Sequence, residues 1–341
     1  MHLGEYHWLS YLLGGTFTYL VLWPVVFVPV FLLLGWGKAS DPRNESYKEA
    51  LLSVSAEDVV NTMTTPKHFV LLEGPDGTGK TTVLKVASRS VWCPLYLNVT
   101  PGAKGSNHVH WSIAECFGML EWQSKLTLWA LSFIGVPLKL FIDADISQVE
   151  LKELTRHVES LNANVGRAPM VMAAIAFSDS SKCPFIHPRM IVLRTTELSV
   201  DDSRAWLDEL GAKEVPQSVL EHYPRTPRHL ATCLLPKLQQ GTEAAEQFVE
   251  KKLDDIVDRV ALTFYSCKES RALLTELAKP GMALGWVDIA TNCGESFKHA
   301  NIADFAQVAV TENALLRRFD ARFMAQFDQT REAFRRYAAT H

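Results

Sequence analysis

The chain has 341 residues, of which 48 % are apolar and 21 % charged, with a formal net charge of −4. The length prior allows roughly two or three domains, the composition is globular rather than disordered, and the charge gives no reason to expect a nucleic-acid partner. Cys93, Cys116, Cys183, Cys233, Cys267 and Cys293 lie far apart with no C-x-x-C pair, which argues against a zinc site or disulfide framework and fits a reducing compartment.

Trp8 to Gly37 carries no Asp, Glu, Lys, Arg or His. About 20 apolar residues span a bilayer, so the run is long enough with slack for tilt. Trp8, Tyr11 and Trp36 stand near its ends, where amphipathic rings favour the interface. A secretory signal is the main alternative. Against it, no basic residue precedes the run, the run is too long, and no clear cleavage site follows. Pro24 and Pro29 either kink one helix or mark a re-entrant hairpin. Lys38, Arg43 and Lys48 follow the run, so the positive-inside rule puts the bulk of the chain in the cytoplasm or mitochondrial matrix.

A polar linker comes next, then Ser55-Ala56-Glu57-Asp58, the cap and first turn of a short helix to Met63. Phe69 to Glu73 reads as a short, buried parallel strand. Gly74-Pro75-Asp76-Gly77-Thr78-Gly79-Lys80-Thr81 follows, with Thr82 behind it, and matches the phosphate-binding P-loop G-x-x-x-x-G-K-[ST]. The glycines let the backbone approach phosphate and turn successive N–H groups inward. The following helix adds its N-terminal partial charge. Lys80 is the expected partner of the β- and γ-phosphates, and Thr81 the hydroxyl ligand of Mg²⁺.

Pro94 to Val99 reads as a second strand, and His108 to Leu120 as helix. Glu121 to Gly135 carries Trp122, Leu126, Trp129, Leu131 and Phe133, a stripe that suits a core or a membrane contact. Leu138 to Asp143 is a third apolar strand ending in an acid, the Walker B pattern, with Asp143 holding Mg²⁺. Ala144 follows, and Asp145, two positions past Asp143, is either a weak substitute for a catalytic acid or no catalytic residue at all. Ile146 to Asn162 reads as helix, and Met170 to Phe177 as a fourth strand tipped by Ser178-Asp179-Ser180. Ser178 or Asp179 either senses the γ-phosphate or belongs to a plain turn. Met190 to Leu193 is the fifth strand, and Ser199 opens a helix to Leu210. Strands alternating with helices imply a doubly wound parallel sheet with its ligand at the carboxyl edge.

Pro216 to Leu238 reads as helical around Thr226-Pro227-Arg228-His229, with further helices over 244–261 and 268–278. Short apolar runs at 283–289 and 308–327 fit a small helical or winged-helix module. Arg317, Arg318, Arg322, Arg331, Arg335 and Arg336 make this end basic, either a solvated face or a patch for phosphate or an acidic partner.

The order of P-loop, Asp143 strand, sensor strand and Arg189–Leu193 strand, then Leu198-Ser199 and a helix, resembles STAND and archaeal-type ATPases of the AAA+-like group over about residues 54–235. The resemblance implies that Thr226-Pro227-Arg228 stands for the family's Gly-Asn-Pro-Arg-like lid turn. Pro227 would then lie near the base and Arg228 near the phosphates. Arg189 would be an arginine finger or a salt-bridge partner. Two positions depart from the pattern: Ala144 where a catalytic Glu is usual, and Thr226 for the glycine. Both bear on hydrolysis more than on binding. Glu73 to Thr82 is also similar to the loop of thymidylate kinases, in which Asp76 would face a phosphoryl acceptor, but the Asp-Arg pair and Arg-rich lid of those kinases have no clear counterpart here.

The expectation is an α/β P-loop NTPase laid out as a transmembrane anchor (1–40), a linker (41–53), a nucleotide-binding domain (54–200), a helical lid (201–245) and a helical or winged-helix module (246–341). It would bind ATP and Mg²⁺, contact the membrane through residues 8–37, and act on a protein partner or on itself as a homo-oligomer. Three functional classes stay open: an ATPase switch or remodeller, a nucleotide kinase, and a nucleotide-binding scaffold.

Overall fold

A computed structural model describes residues 14–39, 53–64, 69–99, 113–114, 116–144, 156, 158–160, 162, 171–177, 190–212, 214–264, 270–285, 309, 315–319 and 322–340. Five parallel strands form the central sheet: β1 (Phe69–Glu73), β2 (Pro94–Val99), β3 (Leu138–Ala144), β4 (Val171–Phe177) and β5 (Met190–Arg194), in the order β2-β3-β4-β1-β5. β1 is buried along its whole length, as a parallel strand covered on both faces must be.

The two faces follow from side-chain alternation. Phe69 and Leu71 of β1, Leu138, Leu140 and Ile142 of β3, and Ala173 and Ile175 of β4 pack on one side. That side is covered by helix α1 (Gly14–Leu33) through Val28 and Leu32, and by helix α4 (Glu121–Phe133) through Leu128 and Leu131. Val70, Leu72, Phe141, Ala174 and Ala176 point the other way, onto α2 (Ala56–Met63) and α3 (Lys80–Ser90). α2 starts where its sequence signals: Ser55 accepts from Asp58 N–H while Asp58 accepts from Ser55 N–H.

α1 is the one helix among the described residues long and apolar enough to cross a membrane, a test that a core helix also passes. It is bonded into the domain. Thr18–Phe27 winds as a π-helix around Pro24, which has no N–H to donate. Side chains of α4 take up backbone carbonyls in that stretch: Thr127 Oγ1 donates to Pro24 O at 2.9 Å and Gln123 Nε2 to Tyr19 O at 2.9 Å. Beyond α1, Tyr96 N–H donates to Gly37 O at 2.8 Å, and Ala39 is tied to Ser88 and Arg89 of α3. Residues 37–39 thus cover part of β2, the edge strand on that side. Gly37 is required there, because a Cβ would stand 2.0 Å from Pro94 O.

Past β5, Ser199 caps α5 (Val200–Glu209). The stretch 216–238, read as helical, is helical in pieces. α6 (Gln217–Glu221) ends before Pro224, and Thr226 is extended, capping the turns Pro227–His229, Leu230–Leu234 and Leu235–Leu238 that make up α7. Residues preceding proline avoid helical ψ, which accounts for the break. α8 (Thr242–Phe264) packs its first half with α5 to α7 and its second half with α9 (Ser270–Leu277), the antiparallel sheet of β6 (Leu284–Gly285), β7 (Leu316–Phe319) and β8 (Arg322–Ala325), and α10 (Asp328–Thr340). The β7–β8 hairpin lies in the run 308–327, where two apolar segments are visible in the sequence.

Candidate nucleotide site

The parallel register brings the ends of several strands together. Glu73 of β1 aligns with Phe177 and Arg194, and Asp143 of β3 with Asn98 and Ala176. The Gly74–Gly79 loop leaves β1 at this carboxyl edge and feeds α3, whose cap Gly79 has φ +90°. Gly77 has φ +78°. Both angles belong to the left-handed region that glycine reaches at no steric cost.

Lys80 is 4 % exposed. Its ammonium donates to Gly74 O at 2.9 Å and Pro75 O at 2.7 Å, so the charge sits inside the loop. Burial lowers its pKa to about 8, against the opposing pull of Asp76, Glu73 and Asp143. Thr81 Oγ1 donates to Asp143 Oδ1 at 3.0 Å, although the residues lie 62 positions apart. Tyr96 OH donates to Asp143 Oδ2 at 3.0 Å. Burial first, then the Asp143 charge and hydrogen bond, push the Tyr96 hydroxyl well above its ordinary pKa, so it stays protonated and a donor. Tyr96 also lines a cavity of about 380 Å³ with Trp23, Phe31 and Trp36, beside α1.

Two further segments close on the loop. Thr195, just after β5, shares a 2.7 Å hydroxyl bond with Thr78, and its N–H donates to Glu73 O at 2.7 Å. A Cβ on Gly74 would stand 2.1 Å from Thr195 Oγ1, so the first loop glycine is set by this contact. From α7, Arg228 Nη1 lies 3.2 Å from Asp76 Oδ2, and a Cβ on Gly77 would meet Arg228 Cβ and Thr226 Oγ1 at 2.8 Å each. Pro227 is buried at the start of α7. The His229 ring, lowered in pKa by burial, meets Thr226 Oγ1 through Nδ1 at 2.8 Å.

Behind the loop, Glu73 is 1 % exposed. Its Oε1 accepts from Arg317 Nη1 of β7 at 2.9 Å, while Arg194 Nε stands 3.8 Å from Oε2. Nearby, Glu197 accepts from Arg225 N–H at 2.9 Å and from Asp328 N–H at 2.8 Å, and Arg225 and Arg331 both pair with Asp328. Burial raises the Glu197 pKa, and the Arg225 contacts oppose it.

The structure therefore brings Gly74, Pro75, Asp76, Gly77, Thr78, Gly79, Lys80, Thr81, Asp143, Pro227 and Arg228 into one neighbourhood. Thr82 follows in α3, half-buried. Asp145, Ser178, Asp179 and Arg189 lie outside the described residues. Sequence reasoning missed Tyr96, Thr195 and the Glu73–Arg317 pair. Tyr96 and Thr195 sit on or just past the expected second and fifth strands, but it is the strand order that sets those strands beside β3 and β1. No local signal marks Arg317.

A strand–glycine loop–helix unit with a carboxylate on a neighbouring strand end 3.0 Å from the loop threonine decides the fold. It is a P-loop NTPase fold. No family model matches the chain, and no curated protein matches it. Among solved structures it is similar to the Walker-type ATPase of Pyrococcus abyssi, at 11 % identity and TM-score 0.46, covering 82 % of this chain and 94 % of that one. It is also similar to Cdc6p of Pyrobaculum aerophilum, at 14 % and 0.38, covering 84 % and 92 %. A third is a STAND protein with a tetratricopeptide repeat sensor from Pyrococcus horikoshii, at 15 % and 0.35, covering 85 % of this chain and 43 % of that one.

The residues present fit Mg²⁺ with a nucleotide. Thr81 and Asp143 are oxygen donors, and Mg²⁺ is commonly held by one or two carboxylates with water and substrate phosphates. Among the described residues no group of three or more His, Cys, Asp or Glu offers another metal site.

Proposed function

We propose that the chain is a membrane-attached ATP switch of the AAA+/STAND type. Residues 54–200 bind Mg·ATP, 201–245 act as a lid, and 246–341 form a winged-helix module that reports the bound state to a protein partner or a second copy. The observation that carries this reading is the Thr81–Asp143 contact, with the Lys80 ammonium held in the adjoining loop.

Mg²⁺, when bound, neutralises charge on the phosphate oxygens; Thr81 and Asp143 would hold it. Lys80 exchanges two carbonyl partners for phosphate oxygens. The loop N–H groups and the start of α3 orient the anion. Tyr96 keeps Asp143 in one rotamer by its hydrogen bond. Arg228 leaves Asp76 for the phosphates, and because Thr226 and Arg228 touch Gly77, a change in the loop moves α7 with it. The sequence has Ala144 where this family's acid stands, so the proposed hydrolysis is slow and the main role is that of a switch.

The test is nucleotide binding and product analysis on the full chain. ATP binding that Lys80→Ala abolishes, with ADP and phosphate forming slowly, is the expected result. Unchanged binding in that variant overturns the reading. Product formation only when a nucleoside monophosphate is added assigns a kinase instead.

A further inference from the structure

α1 and α4 run side by side on one sheet face, and both leave an apolar outer face. On α1 the exposed large residues are Phe17, Tyr19, Val21, Val26, Phe27 and Val30, with Leu34 just past its end. The buried residues of α1 are Pro24, Val28, Pro29 and Leu32. On α4 the outer line is Trp122, Lys125, Trp129 and Phe133, with Trp129 58 % and Phe133 82 % exposed and their rings stacked.

We propose that these two outer faces form one seat that lies in the plane of an anionic bilayer, so that α1 attaches the protein to the membrane without crossing it. This rests on the membrane attachment proposed above and specifies its geometry and its lipid. A crossing would require α1 to leave the sheet. That would take Val28 and Leu32 out of the core they share with β2, and strand Gln123 and Thr127, both fully buried, without the α1 carbonyls they now bond. Buried amide and hydroxyl groups left without partners cost free energy even where the apolar surface finds lipid. Held along its inner side, α1 can offer lipid only its outer side, which is the geometry of an interfacial helix.

The charge pattern selects a bilayer over a second copy of the chain. Lys125 stands between Trp122 and Trp129, and exposed Lys38 follows Trp36, its stem lying over Gly35. Tryptophan with lysine is the composition of the headgroup level, where the ring is half wet and the ammonium reaches anionic phosphate. Protein interfaces instead deplete lysine from their centre. The only acid in α1 or α4 is Glu121, the first residue of α4.

The test is flotation of the full chain with vesicles of phosphatidylcholine alone or mixed equally with phosphatidylserine, using Trp129→Ser/Phe133→Ser and Lys125→Glu. All three positions are exposed, so thermal melting should not change. The paired variant is expected to partition about a hundredfold more weakly into both vesicles. Lys125→Glu should lose tenfold or more on the mixed vesicles only, about what reversing one charge at the surface implies. A protease added outside should cleave an N-terminal tag on bound protein completely. Tag protection from protease would overturn the in-plane geometry while leaving attachment standing. Full binding by the paired variant would overturn the part given to α4. No flotation of the wild type would remove attachment and seat together, with ATP binding untouched. A dimer without lipid that the paired variant abolishes, with no vesicle binding, would assign the face to a second copy.

Discussion

The pair between Glu73 and Arg317 is the contact whose removal should be felt most widely. Glu73 is 2 % exposed by side chain and Arg317 17 %, and they meet at 2.9 Å. Arg317→Leu leaves a buried carboxylate with Arg194 at 3.8 Å and the charge of Lys80 as the cations that still act on it. Removing one member of a buried pair costs about 3–5 kcal/mol, whereas replacing both members can be nearly neutral. Glu73→Gln/Arg317→Leu should therefore be more stable than Arg317→Leu alone, with a coupling energy of about 2–3 kcal/mol in a double-mutant cycle. Denaturant unfolding monitored by tryptophan fluorescence reads this. Because Glu73 immediately precedes Gly74, the single variant should also bind ATP more weakly, and the double variant should recover part of that loss. Additivity within about 0.5 kcal/mol would refute the reasoning and reduce the pair to a bystander.

Four other outcomes follow from the same geometry. Lys80 starts from a pKa of about 8 and gains anionic partners when a nucleotide binds, so binding between about pH 8 and pH 10 should take up protons. Calorimetry in buffers of different ionisation enthalpy measures the uptake, and proton release would contradict it. Without nucleotide, the depressed Lys80 pKa makes the fold gain stability as pH rises from about 8 towards 10.5 and lose it again as pH falls, as seen by urea midpoints. Asp143→Asn should weaken ATP binding about tenfold or more with Mg²⁺ present and little in EDTA, a difference that filter binding resolves. Gly37→Ala sets a Cβ 2.0 Å from Pro94 O, so it should destabilise by about 1–3 kcal/mol and expose residues 37–39 to limited proteolysis.

The parts of this protein legible in its sequence are the ones written locally. Phe69 to Thr81 carries its strand, its bend and its cation in consecutive residues, and Ser55 and Ser199 announce their helices by the acid three positions on. Asp143 is legible because an apolar strand ending in an acid has few other uses beside a P-loop. What escapes is set by contacts between distant residues. Composition reports that 8–37 is apolar, but hydrocarbon from a sheet face and hydrocarbon from lipid suit that run equally, so the Val28 and Leu32 contacts are not written in it. Arg317 lies 244 positions from Glu73 in a hairpin of mixed pattern, and reads as one more basic residue of the C-terminal end. The break at Thr226 is visible only once Pro224 and Pro227 are weighed against the helical pattern around them.

The hydrogen bonds that hold α1 reach α4 across 103 and 104 positions of chain. A ribosome adding about 5–20 residues per second therefore exposes that greasy helix for roughly 5–20 s before its covering partner exists. During biosynthesis the segment is a bare lipophilic tag, visible to whatever captures such tags at the exit tunnel. The membrane attachment proposed above would be settled in that interval, by a race between recognition and elongation.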